Sequence, residues 1–244
     1  MKITIIGHWG GYPKAGEASS GYLLEYDGFK LLVDCGSAVL SQLQTYIKPE
    51  ELDAVILSHY HPDHVADIGV LQHALLIGKY VNGHSRNLPI YGHPHDTASF
   101  NSLTYKDITT GISYEQDEKI HIGPFEIEFI KTKHPVACFA MRVSAGGKTL
   151  IYTADSAYFT ELAEFAEKAD IVLCESNFYK GMDGAAAGHM TSEEAGTLAA
   201  KAGVGKLVLT HLPHFGDHQQ LVAEAKEQFT GEVVLASMGL NLSL

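Results

Sequence analysis

Within six residues the chain places three imidazoles and a carboxylate, His59-Tyr60-His61-Pro62-Asp63-His64, directly after the apolar run Ala54-Val55-Ile56-Leu57. In extended backbone, residues two apart point the same way. His59 and His61 can therefore reach one cation while Asp63 and His64, at the turn into the next segment, reach a second. Neutral imidazole and carboxylate suit zinc and its borderline neighbours, whereas calcium and magnesium sites use mostly oxygen. Three more residues share the placement of that cluster. His134 follows the strand-like run Ile127 to Ile130 and precedes Pro135, Asp155 follows Leu150 to Ala154, and His211 follows Leu207 to Thr210. Each stands just past the C-terminal end of a predicted strand, where sites in α/β folds collect.

The elements that must carry these residues alternate along the chain. Lys2 to Ile6, Gly21 to Tyr26, Lys30 to Val33 and Ala54 to Leu57 read as strands, with a helix-like stretch from Ala38 to Tyr46 before the last of them. Asp67 to Tyr80 then reads as a helix and Pro89 to Tyr91 as a strand. Further strands are predicted at Phe125 to Ile130, Cys138 to Val143 and Thr149 to Tyr152, with Gly146-Gly147 as a tight hairpin turn. Tyr158 to Lys168 looks helical, and Ile171 to Cys174, Leu207 to Leu209 and Val233 to Ala236 complete the strands. Two late helices have legible starts. Thr191 with Glu194 makes a capping box ahead of Ala195, Leu198, Ala199 and Ala202, and Asp217 with Gln220 makes a similar start ahead of Leu221, Ala225 and Phe229.

With 244 residues and 45% hydrophobic content, residues 1–244 are expected to form one domain around one core. No apolar span is long enough for a membrane, and the N-terminal run lacks the build of a signal peptide, so a soluble cytoplasmic protein is expected. Cys35, Cys138 and Cys174 are far apart and odd in number, which favours reduced structural thiols. The formal charge is -12, and Arg86 and Arg142 are the only arginines, so no broad basic surface for polyanions is visible. Two divalent cations would bring -12 to -8 and put positive charge where a phosphate could use it. That balance favours a small or locally gripped anionic substrate.

Taken together, Asp34 in Leu31-Leu32-Val33-Asp34-Cys35-Gly36, the His59 to His64 run, His134, Asp155 and His211 resemble the five-part pattern of the metallo-β-lactamase-fold hydrolases. The resemblance spans nearly the whole chain and implies an α/β fold, an αββα four-layer sandwich with the site at one edge of the sheets. It implies one metal held by His59, His61 and His134, a second by Asp63, His64 and His211, and Asp155 between them. Two divalent ions are expected, zinc first and manganese as the alternative. Asp34 is expected to support the site or the fold rather than touch metal, with a hydrogen bond to a ligand histidine as one of two equal alternatives.

Two further segments resemble the ribonuclease Z-like branch of phosphodiesterases. These are Leu173-Cys174-Glu175-Ser176-Asn177-Phe178 and His189-Met190-Thr191, in which the glutamate and histidine help protonate the leaving group. The implied chemistry is attack of a metal-bridged hydroxide on phosphorus, with Asp63, Glu175 and His189 as catalytic residues. Short transfer-RNA-processing members usually carry an RNA-gripping arm between the third and fourth metal elements. Here His134 and Asp155 are only 21 positions apart, which leaves no room for one. The expected substrate is accordingly a small phosphodiester such as a cyclic phosphate, nucleotide or short oligonucleotide, or the end of a nucleic acid. Alternatives are a transfer-RNA 3′ processing endoribonuclease, a thioester, lactone or lactam hydrolase, and a metal-binding protein without turnover. The resemblance also suggests a homodimer. His8, with Trp9 and Tyr12, is a candidate substrate wall, while His93, His95, His214 and His218 are expected mainly in loop or cap roles.

Overall fold

Strands form where the sequence runs apolar and β-branched, and the buried parallel ones, Ala54–Ile56, Ile171–Glu175 and Lys206–Thr210, are apolar almost without a break. The computed structural model describes residues 1–83 and 86–244. They fall into two compact units, Met1–Glu115 with Met238–Ser243, and Gln116–Ser237 with Leu244.

The first unit is a seven-stranded mixed sheet. Its strands are β1 (Lys2–Gly7), β2 (Gly21–Tyr26), β3 (Phe29–Val33), β4 (Ala54–Ile56), β5 (Leu88–Gly92), β6 (Thr109–Ser113) and the chain's final strand, Asn241–Ser243. The final strand, β1, β2 and β3 pair antiparallel in that order, and β3, β4, β5 and β6 continue in parallel. Helices α1 (Val39–Leu43), α2 (Pro62–Val65), α3 (Ile68–Asn82) and α4 (Thr97–Ser102) fill the connections. Leu23, Leu32, Val55, Leu57, Leu71 and Ile90 belong to its core.

The second unit carries the other seven-stranded mixed sheet. It contains β7 (Lys119–Ile122), β8 (Phe125–Lys131), β9 (Phe139–Ala145), β10 (Lys148–Tyr152), β11 (Ile171–Glu175), β12 (Lys206–Thr210) and β13 (Glu232–Leu235), with α5 (Thr160–Phe165), α6 (Ser192–Ala202) and α7 (His218–Gln228). The first four strands pair antiparallel and the last four in parallel. Gly146 and Gly147 form the tight β9–β10 turn with φ of 59° and 73°, the left-handed pair that a two-residue hairpin of this kind requires.

Three predicted helices have different bounds. The Ala38 to Tyr46 stretch keeps only Val39–Leu43, since Ala38 is left-handed and the Thr45 hydroxyl donates to the Gln42 carbonyl. Asp67 is the residue before α3, which runs on to Asn82 and stops at left-handed Gly83. The Tyr158 to Lys168 helix shrinks to Thr160–Phe165 because Phe159 is extended and Lys168 is left-handed. The Thr191–Glu194 capping box forms as expected, whereas Asp217 caps α7 through the Gln219 N–H. All three cysteines are buried and unbridged, and burial pushes the Cys35 and Cys174 thiols far above their usual range. Among the described residues no helix is long and apolar enough to cross a membrane.

Candidate metal centre

In the first unit the site begins where β3 and β4, side by side and parallel, release the chain. Asp34 leaves β3 in left-handed backbone, φ 56°, and is fully buried. Its carboxylate accepts from the Ser58 N–H at 2.7 Å, the Ser58 hydroxyl at 2.8 Å and His64 Nδ1 at 2.7 Å. A carboxylate only accepts, so the His64 proton sits on Nδ1 and the Nε2 lone pair faces Asp63 Oδ2, 3.5 Å away. Ser58 gives its hydrogen to Asp34, so its oxygen must accept from His59 Nδ1 at 3.1 Å. The lone pair of His59 is thereby left on Nε2, 3.1 Å from His61 Nδ1. One buried carboxylate thus sets the tautomer of two histidines, a role outer residues commonly play at metal sites. The Asp63 carboxylate is in turn held by the Gly11 N–H at 2.7 Å.

In the second unit the turn after β8 is stitched to the turn after β10. The Thr132 hydroxyl donates to the Asp155 carbonyl at 2.8 Å, the Lys133 N–H to the Ser156 hydroxyl at 3.2 Å, and the Ala157 N–H to the Lys133 carbonyl at 3.0 Å. This brings His134 to Asp155. His134 Nδ1 donates to the Gly188 carbonyl at 3.0 Å, so its Nε2 lone pair faces Asp155 Oδ2 at 4.0 Å. Asp155 Oδ1 lies 3.4 Å from His211 Nε2. His211 and Ala154 are both left-handed, φ 52° and 49°, and Asn177 pins the His211 carbonyl through its amide at 3.0 Å. At the end of β11, Glu175 Oε1 accepts from the Ser156 N–H at 2.7 Å and from His189 Nδ1 at 2.9 Å. The His189 ring stacks on His211 with centroids 5.3 Å apart and meets His134 edge-on at 5.2 Å. Glu175, His189 and His211 offer donor atoms within 4.8 Å of one another.

The donor set fits divalent cations. On His64 and on His134, one ring nitrogen is committed to an acceptor-only partner and the other turns its lone pair toward a carboxylate oxygen. Lone pair facing lone pair in a buried setting is repulsive unless a positive centre lies between them. Left-handed backbone at Asp34, Ala154 and His211 points the same way, since each such non-glycine residue costs on the order of 1 kcal/mol and such residues cluster at functional sites.

The structure brings His59, His61, Asp63 and His64 together in one unit, and His134, Asp155, Glu175, His189 and His211 together in the other. His93 is buried with its ring 4.5 Å from that of Tyr60, while His95 faces Glu115 at 3.3 Å. His218 donates to the Pro213 carbonyl at the start of α7, a loop role as expected. Sequence reading missed Ser58, Gly11 and Gly188. Ser58 had a signal, being a small hydroxyl residue next to the first ligand candidate; the two glycines act through backbone atoms, which no side-chain pattern marks.

Two mixed sheets whose strand ends gather histidine and aspartate define the metallo-β-lactamase fold, as expected from the sequence. Residues 30–212 match the sequence model of the beta-lactamase superfamily domain, and the chain belongs to that superfamily. It is 54% identical over 239 residues to the probable metallo-hydrolase YhfI of Bacillus subtilis, covering 98% of each chain. The crystal structure of that metallo-beta-lactamase fold protein superposes with a TM-score of 0.98 at 53% identity, over 99% of this chain and 98% of that one. A ribonuclease Z of Haloarcula marismortui is 25% identical over 298 aligned positions, covering 99% of this chain and 96% of its own. Since this chain has 244 residues, insertions separate the two.

Proposed function

We propose that the chain is a metal-dependent hydrolase of small phosphodiesters, in which residues 1–244 act as one domain. His59, His61 and His134 would hold one divalent cation and Asp63, His64 and His211 a second, with Asp155 serving as a ligand in common. Zinc is the first choice for such donors and manganese the second. Bound cations of this kind lower the pKa of water and neutralise phosphoryl charge. Asp63, gripped by the Gly11 N–H, orients the attacking water and accepts its proton. The observation that carries the phosphodiester reading is the Glu175–His189 pair. Glu175, buried and accepting from two donors, holds the Nδ1–H of His189 and favours its imidazolium form, whose Nε2–H is the proton given to the departing alkoxide. A hydrolase whose leaving group is a thiolate has little use for that proton donor.

The relative named a probable metallo-hydrolase supports the coarser reading, and the ribonuclease Z relative supports phosphodiester chemistry. A transfer-RNA end as substrate is disfavoured by the β9–β10 hairpin, whose two-residue turn fills the interval where an RNA-gripping arm would stand. We further propose a cytoplasmic homodimer. Exposed Val70, Ile77, Tyr80 and Val81 give α3 an apolar outer stretch of the kind that a second copy of the chain covers. The test is a panel: purified protein of determined metal content, assayed on bis(p-nitrophenyl) phosphate, a thioester, a lactone and a lactam. Turnover of the phosphodiester is expected. Thioester or lactone turnover without it overturns the choice of substrate, and no turnover on any of them favours a metal-binding protein.

A further inference from the structure

Beside His134 the second unit holds a cavity of about 450 Å³ lined by Lys133, Pro135, Ala157, Tyr158 and Ala186. That volume lies within the ordinary range for small-ligand sites. No acidic side chain lines it. In the same unit Lys119, Lys148, Lys180 and Lys206 each face a carboxylate within 3.0 Å. Lys133 and Lys201 do not: among the described residues neither has a carboxylate at ion-pair distance. Lys133 instead lies over the Phe159 ring, 5.4 Å from its centroid, which orders the ammonium without neutralising it. Lys201 donates to the Tyr158 hydroxyl oxygen at 2.8 Å. With that oxygen engaged by a cation, the phenol is left to donate its own hydrogen, and more strongly than an isolated hydroxyl.

The cavity is thus lined by a lysine whose ammonium has no carboxylate partner among the described residues and by a tyrosine whose hydroxyl is polarised, alongside alanine and proline side chains that take up little volume. Resting on the phosphodiesterase reading, we propose that it is a nucleotide subsite adjoining the metal centre. Lys133 and Tyr158 take a non-scissile phosphate of the substrate, and the apolar side chains take the sugar and base attached to it. The preferred substrate is then a phosphodiester that carries a second phosphate, such as a 5′-phosphorylated short oligonucleotide.

The test measures binding of adenosine 5′-monophosphate to metal-loaded wild type, Lys133→Met and Tyr158→Phe by titration calorimetry, with adenosine as the uncharged probe. Hydrolysis of bis(p-nitrophenyl) phosphate is followed in parallel. Each variant is expected to bind the nucleotide about tenfold more weakly, the loss of one charge-assisted hydrogen bond. Adenosine binding and hydrolysis of the aryl diester are expected to stay within about twofold of wild type. Nucleotide affinity unchanged in both variants overturns the subsite, as does an equal loss for nucleotide and nucleoside. The two readings fail separately: nucleotide binding that depends on Lys133, in a protein that cleaves no phosphodiester, supports the subsite and refutes the phosphodiesterase.

Discussion

Gly36 stands where the loop after β3 passes the turn that carries Asp63 and His64. The Cys35 N–H donates to the His64 carbonyl at 2.8 Å and the Asp67 N–H to the Cys35 carbonyl at 3.1 Å, so the two backbones are in direct contact. A Cβ on Gly36 would lie 1.9 Å from the Asp63 carbonyl oxygen, whereas such contacts essentially never fall under 3.0 Å. Backbone oxygen cannot rotate away as a side chain can. Gly36→Ala must therefore displace the Asp63 turn by roughly 1 Å or more, a shift of the size that can cost on the order of 100-fold in rate when it misplaces active-site groups. It also strains the His64–Asp34 hydrogen bond of 2.7 Å. We expect overpacking to lower stability by about 1–3 kcal/mol. Thermal unfolding, metal content by elemental analysis and turnover of bis(p-nitrophenyl) phosphate should report, respectively, a Tm lower by several degrees, less metal per chain and a rate down about 100-fold. Gly69→Ala, on α3 with nothing within 4 Å of the added carbon, is the control and should gain about 0.5–1 kcal/mol with metal and rate unchanged. A Gly36→Ala protein with wild-type metal content and rate would refute the reasoning.

Asp34→Asn replaces one acceptor oxygen with a donor against the Ser58 hydroxyl and His64 Nδ1, so His64 and, through Ser58, His59 lose their fixed tautomers. Metal affinity, measured by chelator competition, is expected to fall about 10- to 100-fold. Glu224 offers a pH-dependent case away from the site. Burial pushes its carboxyl up, but hydrogen bonds from the Lys180 N–H, the Ser192 hydroxyl and the Gln220 amide outweigh burial and hold it below the usual range. A depressed folded pKa means that stability is present above about 4.5 and lost as pH falls through the lower folded value. Glu224→Gln should lower stability by about 1 kcal/mol at pH 7, and the Tm gap to wild type should close as pH drops below 4.5. A gap that persists unchanged in acid contradicts the assignment.

Much of the centre was legible because its chemistry sits at strand ends, and buried parallel strands announce themselves as unbroken apolar runs. Leu207 to Leu209 and Leu150 to Tyr152 fall within β12 and β10, so His211 and Asp155 are placed by counting. The Gly146-Gly147 turn was legible for a conformational reason, two adjacent residues that accept positive φ. What escaped was of two kinds. Edge strands β6 and β7 and the final strand Asn241–Ser243 lack a clean alternation, since exposed positions need no apolar residue. The left-handed turns at Asp34, Ala154 and His211 escaped because surrounding contacts, not local preference, impose them. Asp34 shows both sides: its position beside the β3 end was visible, but its grip on His64 and Ser58 depends on β4 lying alongside.

The central claim is a metal-dependent phosphodiesterase whose leaving group is protonated by His189. Its most direct test is turnover of bis(p-nitrophenyl) phosphate and of a phosphodiester with a poorer, alkoxide leaving group, by wild type and His189→Ala, with metal content determined for both. Two metal ions per chain in each protein are expected, with the rate on the alkoxide substrate down about 100- to 10,000-fold and the activated aryl ester affected far less. An equal rate for both proteins on the alkoxide substrate, with metal retained, would contradict the account.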